Sequence, residues 1–156
     1  MLAIYGRPGE WNWLLMFHVM SAFALIGAAL VVTSASVYAL RRSPDDSLML
    51  RRLALRVNLF FALPAFIAVH LFGQILADRE FPSGVKSPGW LDAGFGLTDA
   101  FGIFGIIVLS LIQWWALRKA RKGPGGWQGT VASGLAPATF ALLLVVLFLM
   151  AGKPGS

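Results

Sequence analysis

Residues 13–40 read WLLMFHVMSAFALIGAALVVTSASVYAL, twenty-eight positions with no Asp, Glu, Lys or Arg. At 1.5 Å of helical rise per residue, this run is longer than the ~30 Å hydrocarbon core of a bilayer. It therefore predicts a membrane helix that tilts or protrudes. Three more apolar runs follow, at about 53–77, 97–117 and 131–151; the third can also be drawn from nearer Asp92. Hydrocarbon offers the backbone no hydrogen-bond partners, so these runs are expected to be helices. The ~10-residue alternating segments of a membrane barrel are missing. The expected fold is all-α: an integral membrane four-helix bundle, antiparallel and up-down, forming one transmembrane domain over residues 1–156.

Composition agrees with that reading. The chain has 156 residues, 58% hydrophobic and 13% charged, with a mean hydropathy of +0.74. A soluble domain is about 45–50% apolar and about a quarter charged. The chain has no Cys. This excludes disulfides, Cys-ligated zinc, iron–sulfur clusters and covalently attached c-type haem. No Ser/His/Asp arrangement, HExxH, P-loop or dinucleotide fingerprint is present.

The charges set an orientation. Arg41, Arg42, Arg51, Arg52 and Arg56 flank the first connection, and Arg118, Lys119, Arg121 and Lys122 flank the third. Set against Asp45 and Asp46, they give that side a net charge of +7. Arg7, Arg79, Lys86 and Lys153, set against Glu10, Asp78, Glu80, Asp92 and Asp99, give the other side −1. Positive loops stay in the cytoplasm. Both termini are thus expected on the outer side of a bacterial inner membrane. The net charge of +6 then reflects topology and contact with anionic lipid, not a nucleic-acid partner. Trp11, Trp13 and Trp90 fall at predicted outer ends, and Trp114, Trp115 and Trp127 at predicted inner ends, where amphipathic rings prefer to lie. A cleaved signal peptide is not expected, because the first apolar run is too long and only Arg7 precedes it.

Two histidines lie inside these spans. His18 is five residues in from the outer end of the first, and His70 is seven residues before the outer end of the second. By rise per residue, both sit roughly 8–10 Å below the outer boundary. A polar group at membrane depth is costly and is a functional hypothesis by default. Two imidazoles at one level on neighbouring helices can ligate one haem iron, and imidazole also suits copper or zinc. Gly73, one turn from His70, and Gly27, deeper in the first span, offer the small side chains a porphyrin needs beside it. Gly102 and Gly105 do the same on the third span. Phe17, Phe66, Phe72, Phe101 and Phe104 are candidates to pack the ring, and Arg79 or Lys86 to meet its propionates. Asp99 is either an interfacial first-turn residue favoured by the helix dipole or, if the third helix starts near Asp92, a partner at the histidine level. In the second case His18, His70 and Asp99 make a candidate metal site. Gln74 is within reach of either ring, and Pro64 should kink the second span. The residues leave three uses of the histidines open: cofactor or metal ligation, hydrogen bonding between helices, and proton handling.

FHVMSAFALIGAAL, with His18 opening the span, RR…LMLRRLALR leading to a second span with its own His70, and GWLDAGFGLTDAFGIFG together resemble small four-span bacterial membrane families of unknown function. These are similar in style to the copper-resistance D membrane domain, and the first half carries the resemblance best. It implies a membrane protein with His18, and His70 beside it, as axial haem ligands. The absence of Cys and of Met-rich motifs argues against copper transport. The leading expectation is a membrane protein that binds haem b through His18 and His70 for electron transfer, to a quinone or within a respiratory assembly. The alternatives are a cofactor-free scaffold subunit and a metal- or proton-handling protein.

Overall fold

The computed structural model describes residues 9–82, 88–120 and 127–152. The expectations placed on Arg7, Lys86, Arg121, Lys122 and Lys153, and on the side chains of Glu10 and Trp11, lie outside what is described. Among the described residues the chain is entirely helical, with no strand. Four helices carry it. Helix α1 is Gly9–Tyr38. Helix α2 joins Pro44–Val57, a π-helical stretch Asn58–Ala62, and Leu63–Glu80. Helix α3 joins Gly89–Phe101, a second π-helical stretch Gly102–Val108, and Leu109–Ala120. Helix α4 is Trp127–Gly152. Each contains a segment long and apolar enough to cross a membrane. Phe23, Phe60, Phe61 and Phe148 are each at least 66% exposed. Water would disfavour that much bare aromatic surface, and lipid tails would not.

The helices outrun the apolar runs that predict them. Helix α2 begins at Pro44, well before residue 53, because its start is well made. The Ser43 side chain caps the Asp46 N–H at 3.4 Å, Pro44 fills the first turn, and Asp45 and Asp46 face the positive end of the helix. Helix α3 begins at Gly89. Asp99 is therefore ten residues into the helix. Asp99 is not in the first turn, so the helix-dipole reading of it is overturned.

Pro64 follows directly on a wide turn. Its ring would meet the carbonyl four residues back, that of Phe60. The chain widens to π geometry over Asn58–Ala62, and the Leu63 N–H reaches back five residues to the Asn58 carbonyl. The same Asn58 ties α2 to α3. It is 2% exposed, and its Nδ2 donates to the carbonyls of Gly105 at 3.1 Å and Ile106 at 3.4 Å and to Ser110 Oγ at 2.9 Å. Gly105 and Ile106 lie in the π stretch of α3, where the wide turn turns carbonyls out of the regular ladder. Each irregular segment thus supplies what the other lacks.

The core is built from small side chains. One cluster gathers Leu25, Ala28, Ala29, Ala62, Ala65, Phe101, Ile106 and Leu143; a second gathers Val32, Ala35, Ala54, Leu109, Ala132 and Ala136. Alanine lets helix backbones approach closely, as membrane bundles require. Around the second cluster polar groups also pair between helices. Ser133 Oγ donates to the Ser36 carbonyl at 2.6 Å, Thr33 Oγ1 to the Ala136 carbonyl at 3.2 Å, and Gln113 Nε2 to Ser36 Oγ at 3.4 Å.

Replacing Asn58 with Ala removes the side-chain donor to the Gly105 carbonyl and the Ser110 hydroxyl in an apolar interior, while the Ile106 carbonyl keeps the Leu109 N–H. Each buried polar group left unmade costs about 1–3 kcal/mol in general, and bonds within membrane bundles average nearer ~0.6 kcal/mol. We expect Asn58→Ala to lower stability by about 1–3 kcal/mol in reversible unfolding in mixed micelles. Asn58→Asp, with no N–H to donate, should be worse. Unchanged stability in both would remove Asn58 from this clamping role.

Candidate functional site

Towards the ends of the bundle remote from Asn58, the helices separate around a cavity of about 370 Å³. All four contribute to its wall: Leu15, His18 and Phe23 from α1; Val69, His70 and Gly73 from α2; Trp90, Phe95 and Thr98 from α3; Leu143, Leu147 and Met150 from α4, among others. The size and the apolar wall with a few polar groups are those of a site for a small, mainly apolar molecule. Both histidines line it.

His18 is fixed by α2. Its Nδ1 is 2.9 Å from the carbonyl oxygen of Val69. A carbonyl only accepts, so Nδ1 carries the proton and the lone pair is on Nε2. Among the described residues His18 makes no other hydrogen bond. Gly73 makes room for the ring: a Cβ there would lie 3.1 Å from His18 Cε1 and 3.4 Å from Nδ1. The small residue expected to flank a cofactor thus seats the other histidine. Val69 and Gly73 bracket the helical turn that carries His70, so the two imidazoles share one level, as their spacing predicts.

His70 is held differently. Its Nε2 is 3.0 Å from Gln74 Nε2, one turn on, and its Nδ1 is 3.6 Å from Asp99 Oδ1. The Gln74 amide nitrogen donates, so Nε2 accepts and Nδ1 carries the proton that faces the carboxylate. The 3.6 Å contact is electrostatic, too long for a hydrogen bond. Phe66 stacks on the ring at 5.9 Å and Phe95 meets it edge-on at 5.9 Å. His70 therefore reaches from the cavity wall to Asp99, whose side chain is 61% exposed.

Other expected site residues fall elsewhere. Gly27 is exposed, with nothing within 4 Å of the place its Cβ would occupy, and Arg79 is exposed at the end of α2; neither lines the cavity. Among the described residues no three His, Asp or Glu side chains are grouped to hold a metal ion, so His18, His70 and Asp99 do not close on one point. Phe17 stacks with Phe72 at 5.5 Å, Phe101 packs on Phe66 at 6.3 Å, and Phe104 is half exposed. The aromatic wall is made instead by Phe23, Phe81, Trp90 and Phe95. Sequence reasoning missed Phe95. Its place one turn before Thr98, on the same face of α3, would have suggested it once the start of α3 was known.

In comparisons with known proteins, no family profile, curated protein or solved structure matches this chain.

The Gly73 seat gives a direct test. Gly73→Val puts two methyl groups where the His18 ring lies and should push Nδ1 off the Val69 carbonyl. Ring nitrogen NMR of the purified protein should show a His18 Nδ1–H tautomer that is lost in Gly73→Val and kept in Gly27→Val. Retention of the tautomer in Gly73→Val would mean that the contact is not what orients His18.

Proposed function

We propose that the protein is a multi-pass membrane protein that binds haem b in the outer cavity and serves electron transfer. The proposed arrangement is an antiparallel up-down bundle with both termini on the outer face of a bacterial inner membrane. The contact of the start of α1 with the end of α2, through His18 and Val69, supports the antiparallel pairing. The basic residues near both inner connections support the orientation.

The observation that carries the reading is that two imidazoles line one apolar cavity, and that His18 is held through Nδ1 while its Nε2 makes no hydrogen bond among the described residues. A metal-binding histidine characteristically donates its other ring N–H to a backbone carbonyl or a carboxylate, which fixes the ring and directs the free nitrogen to the metal. Val69 plays that part for His18, and Asp99 faces the same atom of His70. His18 Nε2 is the nitrogen already free and would be the first to hold the group. His70 Nε2 is engaged by Gln74 and would be available to it only if that amide, on an exposed side chain of the same helix, gave way. When bound, the haem supplies the redox chemistry. The protein supplies the nitrogen ligands, an apolar wall that excludes water, and the anchoring of both rings.

Reduced-minus-oxidised visible spectra of the protein, purified in mild detergent after expression with haem supplied, test the proposal. A sharp b-type α band is expected. It should be lost in His18→Ala and weakened or shifted in His70→Ala. Gln74→Ala should keep or strengthen it, because the amide competes with iron for His70 Nε2. A flat spectrum from folded protein would overturn the haem reading, and quinone or metal analysis of that sample would be the next measurement.

A further inference from the structure

The opposite end of the bundle gathers cations without partners of opposite sign. Arg51, half-buried on α2, is anchored by its Nε to Ser47 Oγ at 3.2 Å, and its guanidinium lies against α4 at Gly129. The guanidinium occupies the space a Cβ at position 129 would take, so a larger residue there would displace it. The neighbouring position on α4, Gln128, is 1% exposed. With its amide oxygen turned to the donors, it accepts from Lys119 Nζ at 3.2 Å and Trp127 Nε1 at 3.3 Å. Lys119 Nζ also lies 5.7 Å from the ring of Trp115, which packs edge-on against Trp127 at 5.6 Å. A guanidinium from α2 and an ammonium from α3 are thus held against successive residues of α4.

Among the described residues neither cation forms an ion pair with a carboxylate. Two like charges held against neighbouring residues of α4, one of them half-buried, gain nothing from each other and lose hydration. The arrangement is favourable when an anion sits between them. The setting limits which anion. Trp114, Trp115 and Trp127 ring this level with exposed indoles, and Arg118 lies 3.9 Å over Trp114. Indoles in that position mark the headgroup layer of a bilayer. Basic pockets between membrane helices on the cytoplasmic side hold phosphate headgroups.

We infer that Arg51 and Lys119 form a site for the phosphate of an anionic phospholipid, seated between the ends of α2, α3 and α4 with its acyl chains along the outer surface of the bundle. Arg51 offers two terminal N–H groups in a planar fork suited to phosphate, and Lys119 offers a point charge. Gln128 and Gly129 hold the two cations in place. The site is distinct from the outer cavity and stands whether or not that cavity binds haem.

Native mass spectrometry tests it, on protein reconstituted with equal phosphatidylglycerol and phosphatidylcholine and then transferred to detergent. The wild type should retain phosphatidylglycerol preferentially, as a discrete one-lipid adduct. Each cation near an anionic headgroup is worth roughly a fivefold change in binding. Arg51→Gln and Lys119→Gln should therefore each cut the adduct about fivefold, and Arg51→Lys by less. Lys119 is exposed, so its variant reads the site even if Arg51→Gln folds poorly. Arg42→Gln, which removes an exposed cation outside the cluster, should leave the adduct unchanged. Equal retention of both lipids, or an equal fall in Arg42→Gln, would replace the site with diffuse attraction and overturn the inference. Binding of inorganic phosphate alone at millimolar concentration, without lipid preference, would overturn the lipid assignment as well.

Discussion

A polar group inside hydrocarbon must find its partner within the protein, and this constraint shapes the whole bundle. It makes every long segment a helix. It also decides where irregularity is allowed. Pro64 forbids a regular turn before it, and the resulting π stretch is tolerated because it opens inward, onto the π stretch of α3. Asn58 closes the gap by donating to two displaced carbonyls and to Ser110. An asparagine facing lipid at that depth would cost several kcal/mol; facing two widened turns, it is held by three acceptors.

The same constraint divides the bundle into two unlike halves. In the half that contains Ser36, Gln113 and Ser133, alanine-lined contacts bring backbones together and hydroxyls and amides bridge them. In the other half, larger side chains hold the helices apart. Phe66 packs into the space left by Gly102 and stacks on His70; Phe95 meets His70 from the other side. A tight half with a polar seam provides the stability, and the spread half provides room. The cavity is thus a product of side-chain size along the helices, rigidly supported from below, which suits a site that must hold its geometry.

The fold class was legible because it rests on length and apolarity, which single spans carry by themselves. The matched depth of His18 and His70 was legible for the same reason, since rise per residue is fixed. Helix ends were less so. Hydropathy marks the hydrocarbon, whereas a helix ends where its capping does, and Ser43 with Pro44 extends α2 well past the apolar run. Contacts across the bundle were not legible. Gly73 was read beside His70 because they are neighbours on one helix, yet it seats the ring of His18 from another. Gly27 was read as a cofactor neighbour from its small size, but helix rotation, which the weak amphipathicity of α1 leaves unspecified, turns it outward. Arg51 was read as one of many orienting charges; its seat at Gly129 depends on how α2 and α4 meet.

The two histidines show how much their second contacts matter. At equal depth and on one cavity, a sequence gives no reason to tell them apart. His18 spends one nitrogen on a backbone carbonyl that cannot move away, so its ring is oriented and its other nitrogen is left to the cavity. His70 spends one nitrogen on Gln74, an exposed side chain, and turns the other to a carboxylate that reaches the surface. His18 thus has one nitrogen fixed and one that makes no hydrogen bond among the described residues, whereas on His70 it is the buried Nδ1 that lacks a hydrogen bond, with a carboxylate 3.6 Å away. The two rings share a wall and differ in which nitrogen is left for a partner.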